Sequence, residues 1–152
     1  EMRELGVKYL PLEQVFQQSQ IISLHCPLTP QTRHLINADT LSLMQKGVTL
    51  INTSRGALID TKAVIKALKS RKIGFLGVDV YEQEEHIFFK NLSEEILDDE
   101  MISRLMTFPN VLISGHQAFL THEALEQIAT TTLDNVTAFE RGEFLKNEVK
   151  AS

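Results

Sequence analysis

Apolar side chains concentrate in four short runs along the 152 residues of the chain. Within each run the residues are largely β-branched or aliphatic at consecutive positions, a pattern typical of strands that are buried on both sides of a sheet. We therefore predict four strands, at residues 21–24, 48–51, 73–80 and 111–113. A weaker run at residues 7–10 predicts a further short strand.

Segments whose apolar residues have helical spacing follow two of these runs. Apolar positions repeat at helical intervals after Asp60 and again, over a longer stretch, between Thr121 and Gly142. Asp and Thr are favoured N-caps, and Gly is favoured just after a helix ends. The repeating positions are Val64, Ile65 and Leu68 in the first stretch, and Leu125, Ile128, Thr132, Val136 and Phe139 in the second.

Two further segments complete the predicted order of elements. Residues 11–18 predict a helix, and the acidic stretch from Glu82 to Glu100 predicts a long loop that leads into a helix at residues 98–106. Strands that alternate with helices favour parallel pairing through right-handed crossovers. The fold class predicted from the pattern is therefore α/β, with helices layered against a parallel sheet.

Charge and composition narrow the possible partners. The net charge is -5 and Lys and Arg form no long run, so no nucleic-acid partner is expected. No apolar stretch approaches the roughly 20 residues that cross a bilayer, so no membrane partner is expected. Cys26 is the only cysteine, which favours a cytoplasmic setting. No His, Cys and carboxylate group has metal-ligand spacing, so no metal site is predicted.

Polar side chains follow each predicted strand at its carboxyl end. In open parallel α/β sheets, ligands bind in the crevice outside these ends, so we expect the polar groups to converge on one site. In strand order they are His25, Cys26 and Pro27; residues 52–56 with Arg55; Asp79 with Glu82 and Glu84; and Gly115 with His116.

The expected site combines an imidazole, carboxylates and a guanidinium. A carboxylate beside His116 favours the protonated ring and suits acid/base work. The planar fork of Arg55 matches a substrate carboxylate. Together these groups suit a small acid that bears a carbonyl or hydroxyl group. From the residues alone, two alternatives remain: Arg55 could pair with Asp60, and Glu82 or Glu85 could be the partner of His116.

Other polar residues have simpler interpretations. Cys26 is expected to be a small crevice-lining side chain, because no neighbouring cation activates it. Ser54 lies in no nucleophile-elbow motif, so a hydrolase triad is not predicted. His25 is a weak candidate for a direct role, and the remaining histidines are expected at the surface: His34, His86 and His122.

Four segments resemble the signature blocks of the D-isomer-specific 2-hydroxyacid dehydrogenases, in the order in which the family has them. They are HCPLTPQTRHLIN (residues 25–37), LINTSRGALID (50–60), GVDVYEQEE (77–85) and SGHQAFLT (114–121). The resemblance implies a partial Rossmann-like, doubly wound parallel sheet with flanking helices. It also implies NAD as cofactor and a small 2-keto or 2-hydroxy acid as substrate.

The resemblance also implies a role for each matching residue. Arg55 would hold the substrate carboxylate, His116 would exchange the proton, and Glu84 would be the carboxylate paired with His116. Asp79 would face the nicotinamide end of NAD. The cofactor crevice would be lined by Cys26, Pro27, Thr32, Thr53, Ser54, Arg55 and Asp79.

Within the family, the acidic segment with Phe88 and Phe89, and the HQAFLT block, are similar to the D-lactate dehydrogenase branch. This similarity favours the interconversion of pyruvate and D-lactate. Another D-2-hydroxyacid dehydrogenase, or an NAD-sensing, corepressor-like relative, remains an alternative. The family pattern includes a G-x-G-x-x-G loop and a separate substrate domain, and neither occurs in this sequence.

We therefore expect residues 1–152 to be the C-terminal part of an NAD-binding domain, with the first βαβ unit and the substrate domain absent. The helix at residues 121–141 is expected to pack back toward the missing domain. We expect the chain to be inactive alone, and the intact enzyme to be a homo-oligomer. The preference between NAD and NADP depends on a ribose-binding residue that this sequence does not contain.

Overall fold

A computed structural model describes residues 4–84, 87 and 98–150. The chain divides into two compact units, Glu1–His116 and Gln117–Ser152. The predictions that involve Glu85, His86, Phe88 and Phe89 lie outside the described residues. No helix within the described part of the chain is both long enough and apolar enough to cross a membrane.

The first unit is built on a four-stranded parallel sheet. Its strands are β1 (Ile21–Leu24), β2 (Val48–Asn52), β3 (Ile73–Val78) and β4 (Val111–Ile113), in the spatial order β1-β2-β3-β4. The register aligns Leu50 of β2 with Ile22 of β1 on one side and Leu76 of β3 on the other. The predicted α/β, Rossmann-like fold is confirmed.

The predicted strand at residues 7–10 is wrong, because these residues form no regular element in the structure. All four are exposed, including Val7 and Leu10, so the run has no apolar face to bury against a sheet. The third strand also ends at Val78, earlier than predicted. A short apolar run without a pairing partner gains neither ladder hydrogen bonds nor burial.

Helices precede the sheet and connect its strands. They are α1 (Leu12–Gln18), α2 (Ala38–Leu43), α3 (Thr61–Lys69) and α4 (Glu100–Met106). Asp60 caps α3 as predicted, since its side chain accepts the Ala63 N–H. The sequence pattern did not reveal α2, which spans six residues and buries only Leu41. Its signal is the capping box, in which the side chains of Asn37 and Thr40 reciprocally bond backbone N–H groups.

The helices cover one face of the sheet. The apolar core includes Ile22, Leu50 and Leu76 on this face. Neighbouring connecting helices contact each other, α2 with α3 and α3 with α4, so they lie in one layer. Right-handed crossovers that all advance in the same direction across the sheet produce this arrangement.

The other face carries exposed apolar side chains in the structure. Ile21 is 67% exposed, Phe75 64% and Leu112 71%. The prediction that the strands are buried on both sides is therefore wrong at these three positions. Consecutive residues of a strand alternate between faces, so a single layer of helices buries only every second side chain.

The second unit contains α5 (His122–Glu140). Thr121 caps it as predicted by accepting the Ala124 N–H, and Gly142 follows its end with a φ of 64°. None of the α5 side chains is buried, and Leu133 and Phe139 are among the exposed apolar residues. The packing of this helix against a further domain remains a prediction.

Candidate active site

The polar residues that follow the four strands lie at one edge of the sheet. Because β1 to β4 are parallel, their carboxyl ends are adjacent. Cys26 follows β1, Arg55 follows β2, Asp79 follows β3 and His116 follows β4. The sheet therefore brings together residues that are up to 90 positions apart (116 minus 26).

His116 and Glu84 form a close ion-pair contact at this edge. His116 Nδ1 lies 3.1 Å from Glu84 Oε1, and the two side chains are only 31% and 15% exposed. Reduced exposure to water strengthens the interaction between a carboxylate and a protonated imidazole. Glu84, one of the candidate partners of His116, therefore contacts it. Glu85, another candidate, lies outside the described residues.

The Glu84 carboxylate is also held by its own turn. Its second oxygen, Oε2, accepts the backbone N–H of Tyr81 at 2.9 Å, and the Glu84 N–H donates to the Tyr81 carbonyl at 3.2 Å. One oxygen therefore faces the imidazole while the other is fixed to the main chain. This arrangement orients the carboxylate toward His116.

The backbone of His116 is fixed from the opposite side. His116 has a φ of 57°, directly after Gly115 at 68°, and its N–H donates to the carbonyl of Asp79. A non-glycine residue in the left-handed region is uncommon, and such residues cluster at functional sites. The loop after β4 is thus tied to the end of β3 at the residue that carries the imidazole.

Asp79 is buried beside this contact. It is 3% exposed, and its Oδ1 accepts a 2.6 Å hydrogen bond from Ser114 Oγ. Ser114 in turn donates its N–H to the Val78 carbonyl at 3.1 Å. A buried carboxyl group needs hydrogen-bond partners, and Ser114 supplies one to Asp79.

Arg55 is exposed at the same edge and directs Nη1 to the Ser54 carbonyl at 2.7 Å. The alternative in which Asp60 is its partner receives no support, because Asp60 caps α3 instead. Arg55 and Glu84 line one cavity of about 430 Å³, together with Gly56 and Tyr81. His116 joins this group through its contact with Glu84.

Gly56 allows two loops to meet at this cavity. A Cβ atom at this position would lie 2.1 Å from both the carbonyl carbon and the carbonyl oxygen of Tyr81, and 2.5 Å from the Glu82 nitrogen. Real Cβ atoms do not come so close to backbone atoms, so only glycine fits. The lack of a side chain at Gly56 allows the loop that carries Arg55 to pack against the turn that carries Glu84.

The residues predicted to line the cofactor crevice connect the first two loops. Ser54 Oγ donates to the Cys26 carbonyl at 2.7 Å, and Thr32 Oγ1 donates to the Pro27 carbonyl at 2.7 Å. Thr53 is exposed beside them. The two hydroxyl groups hold the loops together, which shapes the edge from the first strand to the second.

Asn52 also shapes the site, and the sequence analysis gave it no role. It is fully buried, its Nδ2 donates to the Arg55 carbonyl at 2.9 Å, and its Oδ1 accepts the Ser54 N–H at 3.1 Å. These bonds fix the turn that presents Arg55. The sequence signal for this role is an asparagine that ends an apolar strand directly before a short polar turn.

Glu82 forms a separate cluster. Its Oε1 lies 2.6 Å from His34 Nε2 and 3.6 Å from Arg33 Nη2, and its Oε2 accepts the Thr61 hydroxyl at 3.3 Å. His34 is therefore not the simple surface residue that the sequence suggested. Glu82 and Glu84, two residues apart, therefore have different partners.

Comparison with known proteins agrees with this geometry. Residues 1–118 match the family described as the D-isomer specific 2-hydroxyacid dehydrogenase, NAD binding domain. The chain is 52% identical over 146 residues to the D-lactate dehydrogenase of Escherichia coli, which covers 96% of this chain and 44% of that protein.

Solved structures give the same result. A D-lactate dehydrogenase from Treponema pallidum superposes with a TM-score of 0.93 at 34% identity, covering 99% of this chain and 46% of that one. The D-lactate dehydrogenase of Aquifex aeolicus, in complex with NAD and lactic acid, superposes with a TM-score of 0.84 at 37% identity, covering 93% and 43%. The chain thus spans less than half the length of these relatives.

The family match covers most of the chain and includes the strand ends that carry Arg55, Glu84 and His116. The similarity to the Escherichia coli protein and to the solved structures extends over nearly all of the chain. This chain therefore belongs to the NAD-binding domain family of the D-isomer-specific 2-hydroxyacid dehydrogenases.

Proposed function

We propose that the complete protein carrying this chain interconverts pyruvate and D-lactate with NAD as the redox partner. The observation that carries the proposal is the 3.1 Å contact between His116 and Glu84, at the sheet edge that also carries Arg55. The names of the similar proteins support the substrate, since both structures compared above are D-lactate dehydrogenases. Catalysis here requires positioning and charge stabilisation at one small site.

The residues at the carboxyl edge fit an NAD cofactor. Pro27 and Thr53 are exposed there, Cys26 is partly exposed, and the hydroxyl groups of Thr32 and Ser54 hold the loops in place. We assign the crevice to these five residues, with Asp79 and Arg55 toward the nicotinamide. The cofactor would supply the redox chemistry: NAD as hydride acceptor when lactate is oxidised, and NADH as hydride donor when pyruvate is reduced.

His116 serves as the proton donor when pyruvate is reduced and as the acceptor when lactate is oxidised. With Nδ1 facing Glu84, proton exchange with the substrate falls to Nε2. The Glu84 carboxylate stabilises the protonated ring that precedes donation. The fixed backbone of His116 keeps the ring in one place during turnover.

Arg55 binds the substrate carboxylate. Its guanidinium has five N–H donors, and the bond from Nη1 to the Ser54 carbonyl uses one of them. That bond also orients the planar group, which favours bidentate pairing with a carboxylate. The shared cavity places this cation on the same side as Glu84.

We further propose that the chain is inactive alone and acts as part of a longer enzyme that forms a homo-oligomer. The chain covers 44% of the Escherichia coli relative, and its sequence contains no G-x-G-x-x-G motif. In this proposal residues 1–152 are the C-terminal part of the NAD-binding domain. The helix at residues 121–141 would then pack toward the rest of the enzyme through its exposed apolar side chains.

The test is an assay of the purified complete protein with NADH and a series of 2-keto acids. We expect pyruvate to be the preferred substrate and D-lactate the product, with activity lost in His116→Gln. A folded protein that reduces none of the acids would contradict the function. A clear preference for a larger acid, or formation of L-lactate, would contradict the assigned substrate or product.

The same preparation tests the remaining two parts of the proposal. The isolated 152-residue chain is expected to show no NADH oxidation under conditions in which the complete protein is active. Sedimentation of the complete protein is expected to show an oligomer. Activity of the isolated chain, or a monomeric complete protein, would contradict the corresponding part.

A further inference from the structure

We propose that Tyr81 is a positioning residue, whose hydroxyl group anchors the turn that presents Glu84 to His116. This inference rests on the proposed function for its catalytic consequence, although the anchoring itself can be measured without turnover. No role was predicted for Tyr81 from the sequence. Tyr81 is 5% exposed and lines the same cavity as Arg55 and Glu84.

The main chain of Tyr81 holds the Glu84 carboxylate. The Tyr81 N–H donates to Glu84 Oε2 at 2.9 Å, while Oε1 of the same carboxylate faces His116 Nδ1 at 3.1 Å. A displacement of the Tyr81 backbone would therefore rotate or move the carboxylate. The position of this one residue thus determines the orientation of Glu84.

The side chain of Tyr81 fixes that position. Its hydroxyl group lies 2.9 Å from Asp99 Oδ1 and 2.8 Å from Oδ2, and it donates to this carboxylate. Asp99 is itself held as the N-cap of α4, where Oδ1 accepts the N–H groups of Met101 and Ile102. The turn is thus anchored to the start of a helix, which is a rigid element of the fold.

Two further contacts fix the same turn from other directions. Gly56 packs directly against the Tyr81–Glu82 peptide, so the turn cannot move toward the Arg55 loop. Glu82 pairs with His34 and Arg33. The hydroxyl group of Tyr81 supplies the third anchor, on the side of α4.

The charges around the turn explain why a tyrosine suits this position. Asp99, Glu82 and Glu84 are all acidic, and Glu82 already contacts Arg33 and His34. A neutral hydroxyl donor binds Asp99 without adding a cation that would compete with His116 for Glu84. Charge-assisted hydrogen bonds of this kind are stronger than neutral ones.

The experiment follows the imidazole of His116 by NMR of histidine-labelled complete protein at one neutral pH. Glu84→Gln calibrates the signal, because losing the carboxylate beside Nδ1 is expected to shift the imidazole nitrogen resonances of His116. Tyr81→Phe is expected to shift these resonances in the same direction by a smaller amount. Tyr9→Phe, the same change at an exposed site, is the matched control and should leave them unmoved.

Asp99 offers an independent way to break the same hydrogen bond. Asp99→Ser keeps a favoured N-cap but is too short to reach the hydroxyl group, so it should reproduce the Tyr81→Phe shift. Asp99→Asn keeps both a favoured cap and a carbonyl acceptor, so it should restore most of the wild-type value. These variants keep the inference testable if Tyr81→Phe fails to fold.

The activity of the same proteins separates this inference from the proposed function. We expect Tyr81→Phe to lower kcat for pyruvate reduction roughly 5- to 10-fold, with KM for NADH unchanged. A His116 imidazole signal that moves in Glu84→Gln but not in Tyr81→Phe or Asp99→Ser would overturn the positioning role. A wild-type protein that reduces no 2-keto acid, but shows the expected NMR shifts, would overturn the proposed function alone.

Discussion

His116 Nδ1 lies 3.1 Å from Glu84 Oε1, although the two residues follow different strands of the sheet. The contact depends on two loops that are each fixed by main-chain bonds: the Asp79 carbonyl holds the His116 N–H, and the Tyr81 N–H holds the Glu84 carboxylate. The contact between His116 and Glu84 is therefore preorganised by the fold. Preorganised charges need no rearrangement when the protonated ring forms.

Replacement of Glu84 by Gln tests the consequence of this contact for the reaction. In the proposed reaction the imidazolium donates the proton to pyruvate, and the Glu84 carboxylate orients and stabilises the ring. Without the negative charge, we expect kcat/KM for pyruvate to fall roughly 10-fold or more. Steady-state kinetics of the complete protein at one pH measure this loss.

Glu82→Gln is the matched control for that variant. Glu82 carries the same charge two residues earlier but pairs with His34 and Arg33. The kcat/KM of Glu82→Gln is expected to fall much less than that of Glu84→Gln. Equal losses in the two variants would show that the general negative charge of the turn, and not the His116 contact, sets the rate.

Replacement of Arg55 by Lys tests the substrate clamp. Lysine keeps the charge but loses the planar fork, so the carboxylate of pyruvate would lose one charge-assisted hydrogen bond. Such a bond contributes about 1.5–3 kcal/mol, which corresponds to a fall in kcat/KM of roughly 10- to 150-fold. Arg71→Lys, in the turn before β3 at the opposite edge of the sheet, is expected to keep wild-type kinetics. Near-normal kinetics for Arg55→Lys would remove the clamp.

The sheet and its carboxyl edge could be predicted from the sequence because both depend on local patterns. Buried strands leave apolar runs, and the position of a polar cluster after each run predicts the edge. The N-caps Asp60 and Thr121 were predicted in the same way, and the structure has both. By contrast, the short helix α2 buries one residue only and leaves no periodicity to detect.

The partners within the site could not be predicted from residues alone. Glu82 and Glu84 have the same chemistry, and only the resemblance to the dehydrogenase family favoured Glu84. The choice depends on the direction of the turn, which is set by contacts from distant residues such as Gly56, His34 and Asp99. The prediction of strands buried on both sides was wrong at Ile21, Phe75 and Leu112 for a similar reason, since an apolar run does not reveal how many layers cover it.

Gly56→Ala tests the close approach of the two site loops. The added Cβ would meet the Tyr81 carbonyl at 2.1 Å, and neither backbone can yield without moving Arg55 or Glu84. Overpacking of this kind costs about 1–3 kcal/mol, and a clash with backbone atoms is expected at the upper end. Urea unfolding of the complete protein gives the change in unfolding free energy. Gly77→Ala is the control, because its Cβ would lie 3.9 Å from its nearest neighbour, the Ile51 side chain.

Ionisation of Tyr81 tests the anchor of the turn at high pH. Burial raises the pKa of the Tyr81 hydroxyl group above its ordinary range, and the hydrogen bond to Asp99 and the charges of Asp99 and Glu82 raise it further. The hydroxyl group therefore remains a donor to Asp99 throughout the neutral range. In the unfolded chain a tyrosine ionises near about 10, so the unfolded state loses this proton first as the pH rises.

The stability of the protein follows from this difference. The contribution of Tyr81 is fully present below about pH 10 and decreases above it, by at most about 1.4 kcal/mol per pH unit, because the folded state then binds more protons than the unfolded state. Tyr81→Phe removes the titrating group, so its free energy of unfolding is expected to decline less steeply between about pH 10 and 12 than that of Tyr9→Phe. Urea unfolding across this range measures both slopes. Parallel slopes would mean that Tyr81 ionises as readily in the folded protein as in the unfolded chain, which would contradict its burial against Asp99.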